Sequence, residues 1–305
     1  MSTFDRYKDI DKDDDQKSTY KKHAQLITEL PKTIGWSTEE LFLYQGYWLP
    51  EDALLGVMFL QHHFKPRSTD FILSSFMKSG TTWLRSLMFS IQNRSTFDFN
   101  DHPLLQKGPH EIFPSLDFPT TTNKVQDCSN NSLRLFATHY AHSLLPSSIT
   151  NPSSGCKLVY VCRDPKDVMG VLTYGPYWDH VLGFWKASLD SPNNIFFLKY
   201  EGIKREPEVI VKRLGEFMGV PFSVDEEENG MIEKIVKFCS FEHLKNLEVN
   251  KNGSYLAGLG YEMWNKSYFR RGEIGDWKNH LTPEMQQRID GIIKEKFKGS
   301  GFTFI

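Results

Sequence analysis

The sequence predicts an α/β fold: a single domain in which a parallel β-sheet is flanked by helices. Three observations predict it. The runs "TDFILSSF", "SLRLFAT", "CKLVYVC" and "NNIFFLKY" are short, apolar and rich in β-branched or aromatic residues, as strands buried on both faces are. Between them lie segments with apolar residues at helical spacing, such as Trp83, Leu84, Leu87, Met88 and Ile91, and "DHVLGFWKASL". The 305 residues, 39% hydrophobic and 24% charged, suffice for one large domain.

Taken in order, the first two dozen residues are polar and charge-dense, and residues 1–24 read as a flexible or loosely docked arm ahead of a domain over 25–305. Asp11, Asp13 and Asp15 alternate as in a calcium loop, but the turn glycine and closing glutamate are missing. The first strand then runs into Lys78-Ser79-Gly80-Thr81-Thr82-Trp83, where a helix begins. A strand–turn–helix of this composition gathers free backbone N–H groups and the positive helix end around one point, which is an anion site. It is P-loop-like without being the P-loop, because Lys78 precedes Gly80 rather than following the last glycine.

The second strand ends in Thr138-His139, the third in Arg163-Asp164 and the fourth in Lys199-Tyr200. In parallel α/β sheets ligands bind outside the carboxyl ends of the strands, so these residues are expected to face one crevice. The last third reads as helices plus a long polar loop around residues 250–271.

Charge and cysteine usage narrow the function. With 36 basic against 38 acidic residues the formal net charge is −2, which gives no broad footprint for nucleic acid or an anionic membrane. Any anion must be held by a local cluster. No run approaches 18 uninterrupted apolar residues, and no hydrophobic leader follows Met1. Cys128, Cys156, Cys162 and Cys239 show no paired short spacing. Reduced thiols in a cytoplasmic protein are the expectation.

Three ordered motifs resemble those of the cytosolic sulfotransferases that use 3′-phosphoadenylyl sulfate (PAPS), the plant members above all. They are "FMKSGTTW" from Phe76, "VYVCRDPKD" around Arg163, and "RRGEIGDWK" from Arg270 to Lys278. "LPKTIGW", "YQGYW", "YGPYWDHVLGFWKAS" and "FKGSGFTF" are similar to the plant branch as well.

The resemblance implies the sulfotransferase fold and a PAPS site. Lys78, Ser79, Gly80, Thr81 and Thr82 would hold the 5′ end of PAPS. Arg163, Arg270, Arg271 and Gly272 would hold the 3′-phosphate, where a guanidinium fork suits the anion. Trp83 and Phe241 would hold the adenine, with Tyr200 beside them; Cys239 stands where some relatives have threonine.

Sulfuryl transfer to a hydroxylated small molecule needs a base for the acceptor proton, and an imidazole suits neutral pH. The resemblance assigns this to His139 in "FATHYAHSLLP", with His142 the competing candidate. Lys78 would neutralise charge on the leaving phosphate. No metal is expected, since nothing completes a ligand set around His139 and His142.

The chain departs from the pattern in one place. Val171 stands where relatives have the serine that completes the 3′-phosphate site, and "YGPYWDHV" follows almost at once, as if a helix and loop were missing between Met169 and Gly170. A catalytically silent adenosine-bisphosphate-binding homologue is therefore the alternative reading. The family's dimer motif is also altered, reading Lys278, Thr282-Pro283 and Gln287 here, so a monomer is expected.

Overall fold

The computed structural model describes residues 14–35, 39–117, 133–168, 175–255 and 262–304. Helix α1 (Asp14–Glu29) leads into an antiparallel sheet of β1 (Lys32–Ile34), β2 (Glu40–Tyr44) and β3 (Tyr47–Pro50). Its β2–β3 hairpin turns on Gln45 and Gly46, at φ 49° and 86°. Two left-handed residues in a two-residue loop match the twist of the strands they join. Residues 14–24, expected in a loose arm, are thus the first part of a helix, and His23 is buried with its ring 5.0 Å from that of His62. The polar pattern hid this docking because, among the described side chains of residues 14–24, the buried one is a histidine in a charged stretch.

Helix α2 (Glu51–His63) precedes the central sheet. That sheet comprises β4 (Phe71–Ser75), β5 (Leu135–Thr138), β6 (Lys157–Cys162) and β7 (Ile195–Lys199), in the order β5-β4-β6-β7 and parallel throughout. All four lie within the runs that the sequence marks as buried strands.

The strands divide the apolar side chains between two cores with a period of two. Ile72, Leu158 and Tyr160 join Leu54, Val57, Phe136 and Phe184 on one face. Leu73, Val159 and Val161 join Leu84, Leu87, Leu214 and Ile235 on the other. Burial on both faces explains why these strands are nearly all apolar.

The first face is covered by α2 and by α6 (Tyr177–Asp190). The second is covered by α3 (Thr81–Asn93), α8 (Pro207–Phe217) and α9 (Met231–Phe238). Shorter helices serve the site: α4 (Pro109–Ile112), α5 (Pro165–Val168), α7 (Tyr200–Arg205) and α10 (Phe241–Asn246). The polar loop carries a small pair of strands, β8 (Ser254–Tyr255) and β9 (Met263–Trp264). Helix α11 (Pro283–Lys296) follows, capped by Thr282, whose hydroxyl accepts from the Met285 N–H at 3.3 Å.

Register fixes what matters for function. Ser74 pairs with Thr138, Ser75 with Val161, and Cys162 with Lys199. The turn after β4, His139, Arg163 and Tyr200 therefore leave the sheet at one edge.

Candidate active site

The β4–α3 turn is built to expose N–H groups. Lys78 has φ 62° and Gly80 φ 110°, and Gly80 caps α3 without any side-chain hydrogen bond, so the first amides of the helix have no local acceptor. A left-handed lysine costs about 1–2 kcal/mol, strain of the kind found at functional turns. Gly80 cannot be replaced cheaply, since a Cβ there would come 2.7 Å from the Tyr200 ring. Ser75 and Thr81 share a hydroxyl hydrogen bond of 2.5 Å that ties the strand end to the helix start. The Ser79 hydroxyl is buried with no partner.

Opposite the turn, the loop after Phe269 docks on Arg163. The Arg163 Nη2 donates to the Asp167 carboxylate at 3.2 Å and to the Glu273 carbonyl, and its guanidinium lies 4.4 Å from the Tyr200 ring centroid. Its Nε is buried without a partner. Asp167, fully buried, also accepts the N–H groups of Gly275 at 2.9 Å and Trp277 at 3.0 Å. Arg270 donates to the Asp167 carbonyl at 2.9 Å, and the Tyr200 hydroxyl donates to the Gly272 carbonyl at 2.8 Å. Gly272 has φ 68°, and a Cβ on it would meet the Phe241 ring at 2.6 Å.

His139 is held from three sides. Its Nδ1 is 2.8 Å from the Ser75 carbonyl oxygen. Its backbone N–H donates to both oxygens of Asp117, at 3.0 and 3.1 Å, and its carbonyl accepts from His180 Nε2 at 3.1 Å. Asp117 also accepts from the hydroxyls of Thr138, at 2.6 Å, and Ser115, at 2.9 Å. Burial lowers the His139 pKa from its ordinary value; Asp117 and the Ser75 carbonyl oppose this, while Arg85 and Lys78 add to it. Lys78 is likewise pushed down, by burial and then by Arg270, and its Nζ donates to the Ser267 carbonyl at 2.9 Å.

A cavity of about 370 Å³ brings these groups together. Its walls include Lys78, Gly80, Thr81, Thr82 and Trp83 on one side, Arg163, Tyr200, Phe241, Arg270 and Gly272 on another, and His139. Two predicted residues do not line it. Ser79 is buried beneath the turn, and Arg271 pairs with Asp276 at 2.8 Å with its side chain half exposed. His142 does not line it either; its ring packs 5.3 Å from that of Phe184, on α6. Met169, Gly170, Val171 and Thr173, where the family pattern breaks, lie outside the described residues.

The cavity continues past His139 to Arg85, His110, Tyr255 and Tyr268. Neither Arg85 nor Asp117 stands out in the sequence. Arg85 reads as the polar face of an amphipathic helix, and Asp117 reaches β5 only because Ser115 bridges to Ala137. The sole cue is an acidic residue in the apolar stretch "IFPSLDF".

The sulfotransferase domain family matches this chain over residues 68–170 and 168–301. The chain belongs to the sulfotransferase family. Among its relatives, cytosolic sulfotransferase 16 of Arabidopsis thaliana is 44% identical over 317 residues, covering 93% of this chain and 92% of the relative. Cytosolic sulfotransferase 17 of the same plant is 43% identical, covering 92% and 90%. An Arabidopsis thaliana sulphotransferase crystal structure superposes with a TM-score of 0.71 at 34% identity, covering 92% of this chain and 94% of that one. A retinol dehydratase structure holding androsterone and the inactive cofactor PAP shares the fold, with a TM-score of 0.68 at 18% identity over 93% and 95% of the two chains.

The family match is split where the sequence pattern breaks, at 168–170, and the 317 aligned positions with the first relative exceed this sulfotransferase's 305 residues. Among the described residues, no helix is long and apolar enough to cross a membrane, and no group of three or more histidine, cysteine or acidic residues could hold a metal ion.

Proposed function

We propose that this protein transfers a sulfuryl group from PAPS to a hydroxyl of a small-molecule acceptor, in the cytoplasm, as a monomer and without a metal. The observation that carries the reading is that one cavity joins His139 to both candidate anion sites, the β4–α3 turn and the Arg163–Arg270–Gly272 wall. Its residues suit a donor with a 5′-phosphosulfate and a 3′-phosphate. The uncapped helix start and the Lys78 and Thr82 side chains on the cavity wall favour the first anion. The unpartnered Arg163 Nε and the exposed Arg270 favour the second. Trp83 and Phe241 offer flat apolar surface between them.

In this reading His139 takes the acceptor proton at Nε2 as the acceptor oxygen bonds to sulfur. The bond from sulfur to the 5′-phosphate oxygen breaks, and Lys78 Nζ leaves the Ser267 carbonyl to neutralise the charge on that oxygen. Calorimetry with 3′,5′-adenosine bisphosphate, 5′-AMP and ATP tests the nucleotide class. The bisphosphate should bind tightest, and a preference for ATP would end the reading.

The split family match favours one second reading, a nucleotide-binding homologue that no longer turns over. Tight bisphosphate binding without transfer to any acceptor would select it.

A further inference from the structure

Beyond His139 the cavity ends on a charge that the fold does not neutralise. Arg85, on α3, is 1% exposed and is the largest fully buried side chain among the described residues. A buried guanidinium normally sits on a carboxylate with most of its donors used, because removing the ion from water is costly. Here Nη1 donates to the Phe113 carbonyl at 2.6 Å, Nε has no partner, and among the described residues no carboxylate forms an ion pair with it.

Burial disfavours the charge, and Asp117, the nearby carboxylate that favours it, has its oxygens taken by Thr138, His139 and Ser115. Tyr255 and Tyr268 also line the cavity. His110, stacked on Tyr268 at 3.6 Å between ring centroids, has a buried Nδ1 without a partner. Burial, Arg85, His139 and Lys78 hold that ring well below its ordinary pKa, so it is neutral and does not compete for an anion.

We propose that Arg85 recognises a carboxylate on the acceptor, so that the substrates are hydroxylated carboxylic acids, with the acid on Arg85 and the reacting hydroxyl at His139. This rests on the sulfuryl-transfer reading above. A planar anion suits the guanidinium fork, and the unpartnered His110 Nδ1 supplies a further polar contact beside it. The acidic residues Glu39, just before β2, and Asp52, on α2, also line the cavity. They disfavour the reverse orientation.

The test uses para-hydroxybenzoate, para-hydroxyphenylpropanoate and omega-hydroxyoctanoate, each beside its methyl ester. Calorimetry on the full chain loaded with 3′,5′-adenosine bisphosphate should show at least one acid binding tighter than its ester by about ten- to a hundredfold, the worth of a charge-assisted hydrogen bond. With labelled PAPS, kcat/KM should favour the same acid. Arg85→Met should remove the acid preference and Arg85→Lys restore part of it.

A ratio near one for every pair, or no acid that binds, overturns the proposal. So does an Arg85→Met protein that still binds the bisphosphate but loses acid and ester equally, since that is a structural role. Absence of turnover with tight acid binding would overturn the transfer reading instead and leave the carboxylate site standing.

Discussion

His139 Nδ1 lies 2.8 Å from the carbonyl oxygen of Ser75, the last residue of β4. A carbonyl only accepts, so the ring proton is on Nδ1 and the lone pair is on Nε2. The residue that orients the His139 ring thus also anchors the β4–α3 turn, through the Ser75–Thr81 hydroxyl pair. The proposed base and the proposed donor site are registered by one strand end.

His139→Ala should lower kcat by about 10²–10⁴-fold, the usual range for a positioned base, with affinity for 3′,5′-adenosine bisphosphate within a few-fold of wild type. His142→Ala should keep its activity, because that ring packs against Phe184 and not in the cavity. Steady-state kinetics on the two variants decide between them. A dead His142→Ala beside an active His139→Ala would reverse the assignment.

The pH profile follows from the direction of the His139 shift. The base must be neutral, and burial lowers its pKa, so kcat/KM should hold through neutrality and fall only below the ordinary histidine value of about 6.5. Asp117 opposes this lowering. Asp117→Asn keeps an oxygen for the His139 N–H but removes the charge, and should move the acidic limb further down. A limb that moves up contradicts the electrostatic account.

Gly272→Ala places a methyl 2.6 Å from the Phe241 ring at a left-handed φ of 68°. Either the loop or the ring must shift. The expected result is about a tenfold or greater loss of bisphosphate affinity, at about 1–2 kcal/mol of backbone strain, read by calorimetry and denaturant unfolding. Unchanged affinity would remove Gly272 and Phe241 from the nucleotide site.

Asp167→Asn breaks a fully buried ion pair with Arg163 and weakens acceptors for two backbone N–H groups of the covering loop. Breaking such a pair costs about 3–5 kcal/mol, so the variant should unfold at markedly lower denaturant and bind nucleotide weakly. Wild-type stability would show that the loop is held by other contacts.

Much of this arrangement is written locally. The turn from Lys78 to Trp83 is contiguous, and the four central strands announce themselves by apolar runs that two-sided burial requires. What stayed hidden is set by contacts distant in the chain. Asp117 serves His139 only through the bridge from Ser115 to Ala137, and Asp167 matters because residues 273–277 fold back onto it. Arg85 has the hydrophilic character of a surface residue, and only α4 with the Phe113 carbonyl makes it a buried one. Arg271 shows the reverse: its neighbour in the motif reaches the cavity, while it turns outward to Asp276.

Sulfuryl transfer in this one cavity, with His139 as base, leaves a product that can be followed directly. It is tested most directly by incubating the full chain with radiolabelled PAPS and a panel of phenols, steroids, flavonoids and hydroxylated carboxylic acids, beside His139→Ala. A labelled sulfate ester should form from the wild-type chain with at least one acceptor. His139→Ala should label that acceptor about 10²–10⁴-fold more slowly, while both proteins bind 3′,5′-adenosine bisphosphate within a few-fold of each other. Transfer by His139→Ala at the wild-type rate, or a wild-type chain that binds no bisphosphate and labels no acceptor, would contradict it.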